Sequence, residues 1–380
     1  MGYILSDEQK EMVRMAKEFA EKEVKPVVAE YDREGRIPME AYKKAVEIGY
    51  NILEIPKEYG GAGESYYTMA AIYEEFARID AGFATGILAS GLALKTVLAQ
   101  GTDEQKLYFA SFLSGERGNG FAAFCLTEAE AGSDAAAGKT TAVKEGNEYV
   151  INGSKCFITN ASLAQIFVVF AMTDKTKGTK GISAFIVERD RLGVSVAGEE
   201  DKMGIRLSNT ASVYFDNVRI PADHLLGKEG RGFVYAMQTL DLARPMVAAM
   251  AVGVAQRALE EAVAYAKERK TFGKPIIAHQ AIQFKLADMD IKTECARSAI
   301  INFLNTYYAG LPCSREAAIA KCYAGDIAVE VALEAIQIFG GYGYSREYPV
   351  EKLLRDAKIM QIYEGTNEIQ RMVVSGKFMR

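Results

Sequence analysis

The apolar residues of this chain change their period twice, and that constrains the fold more than any other feature. Up to about residue 120 they recur at helical spacing. From there to about residue 230 they fall in short β-branched and aromatic stretches between Gly and Asp/Asn clusters. After Gly232 helical spacing returns and persists. At 380 residues the chain is too long for one ordinary core, so packed subdomains are expected. The boundaries expected from the pattern are a helical domain over 1–120, a β domain over 121–230 and a helical bundle over 231–380.

Local signals sharpen this layout. Ser6 and Gln9 form a capping box that opens a helix with Met12, Val13, Ala16, Phe19 and Ala20 on one face. Helical pattern continues through 39–49, 66–79 and 89–98. Residues 166–171, 181–187 and 211–215 read as strands. Asn152-Gly153 is expected to turn a hairpin between 149–151 and 155–159, because both residue types tolerate the positive φ of a type I′ turn. Long helices are expected over 246–270, 284–309 and 315–339, the last stopped by Gly340-Gly341.

Composition removes several function classes. The net charge of −5, with both signs interspersed, gives no electrostatic footprint for nucleic acid. A ligand with an anionic head group needs a local basic site. No apolar run is expected to reach bilayer length, and the polar start carries no signal-peptide core, so a cytoplasmic location is expected. Cys125, Cys156, Cys295, Cys313 and Cys322 are scattered, without a CxxC pair, as suits free thiols in a reducing compartment. With His224 and His279 the only histidines, no metal site is expected and acid–base work falls to carboxylates. Residues 133–140 nearly match a P-loop, but Ser133 replaces the first glycine and the surroundings read as β. No GxGxxG occurs, so a dinucleotide would need another architecture.

Four segments carry candidate chemistry. Over 121–162, Thr127, Gly132, Ser133 and Thr159 offer small donors on a β scaffold and Phe157 a flat apolar face, a set that suits a heteroaromatic ring. Glu364 stands between Tyr363 and Gly365, just before Thr366, a helix cap. An apolar pocket would raise its pKa and improve it as a base, while Gly365 lets a carbonyl approach the backbone. Asp241-Leu-Ala-Arg244-Pro245 and the basic run Glu268–Lys274 around Phe272 could hold phosphates and an adenine. Gln337-Ile-Phe-Gly340-Gly341 ends a helix with glycines that admit a ligand. Taken singly, each is also what an ordinary turn, cap or core contains.

Together, LTE-x-x-AGSD, NG-x-K-x-F-ITN, ERKTFGK, QIFGGYGY and IYEGTNEIQR, in this order and across essentially the whole chain, resemble the acyl-CoA dehydrogenases. The resemblance implies an α+β, mainly α fold: an N-terminal helical domain, a middle β-barrel-like or sandwich domain and a C-terminal four-helix bundle, assembled as a homotetramer (a dimer of dimers). It implies FAD as cofactor and electron-transferring flavoprotein as electron acceptor. Carried over by motif, Cys125, Leu126, Thr127, Ser133, Phe157 and Thr159 would contact the flavin. Arg269, Phe272 and Gln280 would contact the diphosphate and adenosine. Gln337, Gly340 and Gly341 would reach another subunit's FAD, and Thr366 and Glu368 would also touch FAD. Ser133, Asp241, Arg244 and Gly365 would line the acyl-CoA path, and Glu364 would be the base. Some members carry the base near the DxxR position instead, but Leu242 and Ala243 offer no carboxylate here.

The implied reaction removes the α-proton and β-hydride of an acyl thioester to leave a trans-2-enoyl-CoA. Many members have tryptophan where this chain has Phe157, and this chain has no tryptophan. The stretch from Asp80 to Leu94, which lines the acyl pocket in related enzymes, has no basic residue. That argues against a dicarboxylic substrate, and a short acyl chain is expected. Branched, alicyclic and aryl-propionyl thioesters stay open. So do the reverse, enoyl-CoA reductase direction, an oxidase, and a flavin-binding partner without turnover.

Overall fold

A computed structural model describes residues 3–379. The N-terminal part consists of α1 (Asp7–Phe19), α2 (Val28–Glu34), α3 (Met39–Ile48), α4 (Tyr66–Ile79), α5 (Ala81–Gln100) and α6 (Asp103–Leu113). Ser6 caps α1 with both bonds of the expected capping box, Gln9 N to Ser6 Oγ at 3.2 Å and Ser6 N to Gln9 Oε1 at 2.9 Å.

Helix α5 corrects one expectation. An 18-residue window of it has mean hydropathy 1.5, long and apolar enough by length and composition to cross a membrane. Yet 94% of that window is buried within the protein. The helix packs on α4, on α7 (Gly232–Glu268) and on β1 (Ala122–Cys125). An all-round apolar helix is what a helix enclosed by neighbours requires.

The middle part is one curled sheet of β1, β2 (Thr141–Glu145), β3 (Glu148–Thr159), β4 (Ile166–Met172), β5 (Ile182–Glu188), β6 (Val194–Glu199) and β7 (Thr210–Pro221). Strand β4 pairs with β5 along its whole length. It pairs in parallel with β1 at 166–169 and then with β2 at Met172. The sheet therefore parts between β1 and β2, which the segment 126–140 connects. From β2 the order continues β3, β7, β6.

The expected Asn152-Gly153 hairpin is not there. β2 and β3 pair with Glu145 opposite Glu148, which puts the turn at Gly146-Asn147. Asn152 and Gly153 lie inside β3, where the register against β7 slips. Gly153 has φ 145° and presses on Thr140, so that a Cβ would lie 2.6 Å from Thr140 Oγ1. Asn152 Oδ1 accepts from Asn217 N across the slip at 2.8 Å. The dipeptide builds a bulge, the other use of such residues in sheets.

The C-terminal part is built on α7, α8 (Gln280–Tyr308) and α9 (Ser314–Phe339), with α10 (Val350–Ile359) and α11 (Asn367–Ser375) laid on α9. Helix α7 starts fourteen residues before the expected Met246 and runs through Pro245. Gly340, at φ 64°, ends α9 as expected. The three parts meet at one ion cluster. Lys352 of α10 reaches Asp80 at 2.6 Å and also pairs with Asp356. Asp80 caps α5 through Phe83 N (2.7 Å), and Asp356 accepts from Ile205 N of the middle part (2.6 Å).

Candidate active site

Among the described residues, six other than glycine have positive φ, a conformation that costs of order 1–3 kcal/mol and persists only where surroundings enforce it. Three of them are Phe157 (54°), Phe272 (51°) and Glu364 (56°). Each is a residue that the sequence alone marked for chemistry.

Glu364 lies in the loop between α10 and α11. Its Oε2 is shut off from solvent and has no hydrogen-bond partner. Burial pushes the carboxyl up to about 7, against the opposing charges of Arg244, Lys321 and Lys95. An isolated carboxyl in such a place is a poised proton acceptor. Gly365 follows at φ 90°; a Cβ there would come within 2.8 Å of Gln370 Nε2. Thr366 caps α11 through Ile369 N at 3.3 Å, and Glu368 is exposed in its first turn.

Arg244 is buried in α7. Its Nε donates to Glu364 O at 3.3 Å and its Nη1 to Asp241 Oδ1 at 2.6 Å. Asp241 also accepts from Ser314 Oγ. Pro245 lacks an N–H, so the Asp241 carbonyl loses its usual helical partner at this point. Glu364, Gly365, Thr366, Arg244 and Asp241 thus lie together.

The second group gathers on the sheet. Cys125 ends β1 and is buried, and burial pushes its thiol up to about 12, leaving it inert. Thr127 O accepts from Cys156 N at 3.0 Å, and Leu126 O from Lys155 Nζ at 3.1 Å. Lys155 is in turn paired with Glu128 at 2.7 Å, both side chains largely withdrawn from water. This tie fixes the start of the 126–140 loop to β3 where its register slips again, between Lys155 and Ile158. Phe157 stands in that slip, 64% exposed. An apolar ring held out of the core by strained backbone offers a face for a flat ligand. Thr159 closes β3 opposite Thr210. Ser133 is exposed in the loop.

A third group lines an open cleft of about 450 Å³: Tyr265, Arg269, Thr271, Gly340, Gly341 and Tyr342 among others. Arg269 sits 5.6 Å from the Tyr342 ring centre. The sequence reading divides these residues between two subunits' cofactors, whereas Arg269, Gly340 and Gly341 share this one surface. Phe272, 94% exposed, projects from the adjoining turn. Gln280 and Gln337 are exposed at the start of α8 and near the end of α9.

Several residues escaped the sequence reading. Lys321 and Gln370 bond the backbone at 364–365. Lys155 and Glu128 fix the loop. Lys95, one residue past the Asp80–Leu94 stretch, is buried, pairs with Glu54 at 2.6 Å and lends charge to Glu364. The signal was available: Lys95 and Lys321 are lone charges in long apolar helical stretches, where a charge is seldom buried without a partner.

Family models for the acyl-CoA dehydrogenase N-terminal, middle and C-terminal domains match residues 6–116, 123–218 and 230–378. The chain belongs to the acyl-CoA dehydrogenase family. It is therefore an oxidoreductase of a flavoprotein family, with that family's three-part fold. A short-chain specific acyl-CoA dehydrogenase of Clostridium acetobutylicum is 46% identical over the whole of both chains. A 3-(aryl)acrylate reductase of Clostridium sporogenes is 43% identical over 98% of this chain and 99% of its own. Among solved structures, butyryl-CoA dehydrogenase from Megasphaera elsdenii superposes with TM-score 0.96 at 43% identity over the whole of both chains. A chain in the structure of the electron-transferring flavoprotein of Acidaminococcus fermentans gives 0.96 at 44%, again over both whole chains.

Proposed function

We propose that this acyl-CoA dehydrogenase oxidises a short-chain acyl-CoA to the trans-2-enoyl-CoA, with Glu364 as the base, FAD as cofactor and electron-transferring flavoprotein as acceptor. The observation that carries the reading is the carboxyl of half-buried Glu364: its Oε2 is shut off from solvent without a partner, and desolvation pushes it up to about 7. A weakly acidic thioester α-proton needs a base held out of water at the reacting carbon.

The residues present fit FAD. Exposed Phe157 on its strained bulge and the Thr127 loop suit the ring system, and the cleft of Arg269 with the close-approach glycines Gly340 and Gly341 suits phosphate and adenosine. Bound there, FAD supplies the hydride acceptor. Glu364 takes the α-proton on its carboxylate. The Glu364 N–H is assigned to the thioester oxygen, where it stabilises the charge that develops as the proton leaves. Arg244 holds the Glu364 carbonyl and so orients that peptide.

Short-chain specificity rests on the relatives described above as short-chain and butyryl-CoA enzymes. Lys95 is matched by Glu54, so it is not available to a distal carboxylate, which argues against dicarboxylic thioesters. The electron acceptor is supported by the similarity to the Acidaminococcus chain. A homotetramer is supported by Phe284 and Ile291 on α8 with Leu333 on α9, apolar side chains about half exposed or more that a second copy would cover. The similarity to the aryl-acrylate reductase supports the reverse direction as the second reading.

The test is anaerobic titration of the FAD-loaded protein with butyryl-, isobutyryl-, hexanoyl-, octanoyl- and aryl-propionyl-CoA. Fast bleaching of the oxidised flavin band by butyryl-CoA above the others is expected. Bleaching by none, with re-oxidation of reduced flavin by an enoyl-CoA, would overturn the dehydrogenase direction in favour of the reductase.

A further inference from the structure

Glu364 and Gly365 are consecutive residues with positive φ, 56° and 90°, and something must hold that turn. Their carbonyls show what does. Glu364 O accepts from Arg244 and Gln370, each at 3.3 Å. Gly365 O accepts from Lys321 Nζ at 2.7 Å and Gln370 Nε2 at 2.9 Å. Lys321 comes from α9 and is wholly buried. Its second bond goes to Asn367 Oδ1 at 2.9 Å, so both of its acceptors are neutral.

The rest of the loop is threaded onto the same face of α9. Asn367 Nδ2 donates to Cys322 O (3.0 Å) and to Asp326 Oδ1 (2.8 Å), which also accepts from Gln361 (2.8 Å). Gly325 admits the Met360 carbonyl, which a Cβ would meet at 2.6 Å. Lys321 grips the Gly365 carbonyl next to the base, as Arg244 grips the carbonyl of the base itself.

We propose that Lys321 is the positioning residue of the base: its ammonium clamps the Gly365 carbonyl, locks the strained Glu364–Gly365 turn, and supplies charge that favours the ionised carboxylate. This rests on Glu364 being the base. A buried lysine bonded only to neutral acceptors is costly unless its charge is used. The titratable and charged groups facing it are Glu364 from the loop, Asp326 and the Cys322 thiol from its own helix and Arg244 from α7. Those facing Glu364 are Arg244, Lys321 and Lys95, from α7, α9 and α5. Burial brings Lys321 down to about 8, and Glu364 works against that fall.

The experiment compares Lys321→Met, which has neither donor nor charge, with Lys321→Gln, which keeps a donor, both in FAD-loaded protein. Two readouts are followed against pH. One is kcat/KM. The other is the long-wavelength charge-transfer band formed with a 3-thia-acyl-CoA, whose α-proton can leave but whose β position is sulfur and has no hydride to give.

In both variants the acid limb, and the midpoint of the band, should move up by about one pH unit, because one of three stabilising charges is gone. kcat should fall on the order of 10²-fold in Lys321→Met and less in Lys321→Gln, as for a small misplacement of a reacting group. An unmoved limb and midpoint in whichever variant folds would overturn the proposal. If instead Glu364→Gln kept its turnover, the base assignment itself would fall, an outcome separate from failure at Lys321.

Discussion

A glutamate in water titrates near 4.3, yet the Glu364 carboxyl is pushed up to about 7 by burial, with Arg244, Lys321 and Lys95 holding it below what burial alone would give. The sign of the pH dependence follows. The base must be ionised, so kcat/KM should rise with pH to a limb near about 7 and fall tenfold per unit below it. Glu364→Gln should retain FAD and acyl-CoA but lose roughly 10²–10⁴-fold in turnover; near-parental activity would refute the assignment. Stability should move the other way. Because the folded value lies above the unfolded one, the parent is penalised as pH rises through that interval. Glu364→Gln should therefore melt above the parent at about pH 8 and close to it at about pH 5.

At the scale of elements, the notable devices are irregular ones. β3 slips register twice, and the second slip presents Phe157. α7 carries a proline at the turn that bears Asp241 and Arg244. The 126–140 loop leaves the sheet where β1 and β2 take successive parts of one edge of β4, and the Glu128–Lys155 pair holds it there. Removing one partner of a buried pair strands the other charge. Glu128→Ala should cost about 3–5 kcal/mol of stability. It should also loosen flavin retention, measured as FAD released on gel filtration, more than it changes the Glu364 pH limb. Equal retention would show that the pair does not hold the loop.

For the whole molecule, the three parts are joined by α5, buried against helices and sheet alike, and by the Lys352 cluster that bonds Asp80, Asp356 and, through Asp356, the Ile205 backbone. Such a junction couples the parts. Lys352→Met leaves two carboxylates facing each other out of water, and should lower stability by about 3–5 kcal/mol. The loss should appear in a single shifted calorimetric transition. Separate melting of one part, with the rest unmoved, would contradict coupling through this cluster.

The order of helices, strands and helices, the caps at Ser6, Thr366 and Gly340, and the neighbourhood of Glu364 are legible in the chain before it folds, because periodicity, capping and motif order are local properties. The residues around the base were half legible. Arg244, Asp241 and Gly365 sit in motifs, whereas Lys321, Gln370, Lys95 and Glu54 bond partners from 5 to 46 positions away in the chain, a relation that only folding makes. Asn152-Gly153 shows the same limit. A dipeptide tolerant of positive φ serves a turn or a bulge equally well, and the pairing with β7 chose the bulge. So too with α5: its composition fits a membrane span or a core, and it is the surrounding helices and sheet that bury it. Tertiary structure also raised the Glu364 carboxyl, since desolvation is a property of the enclosure and not of the residue.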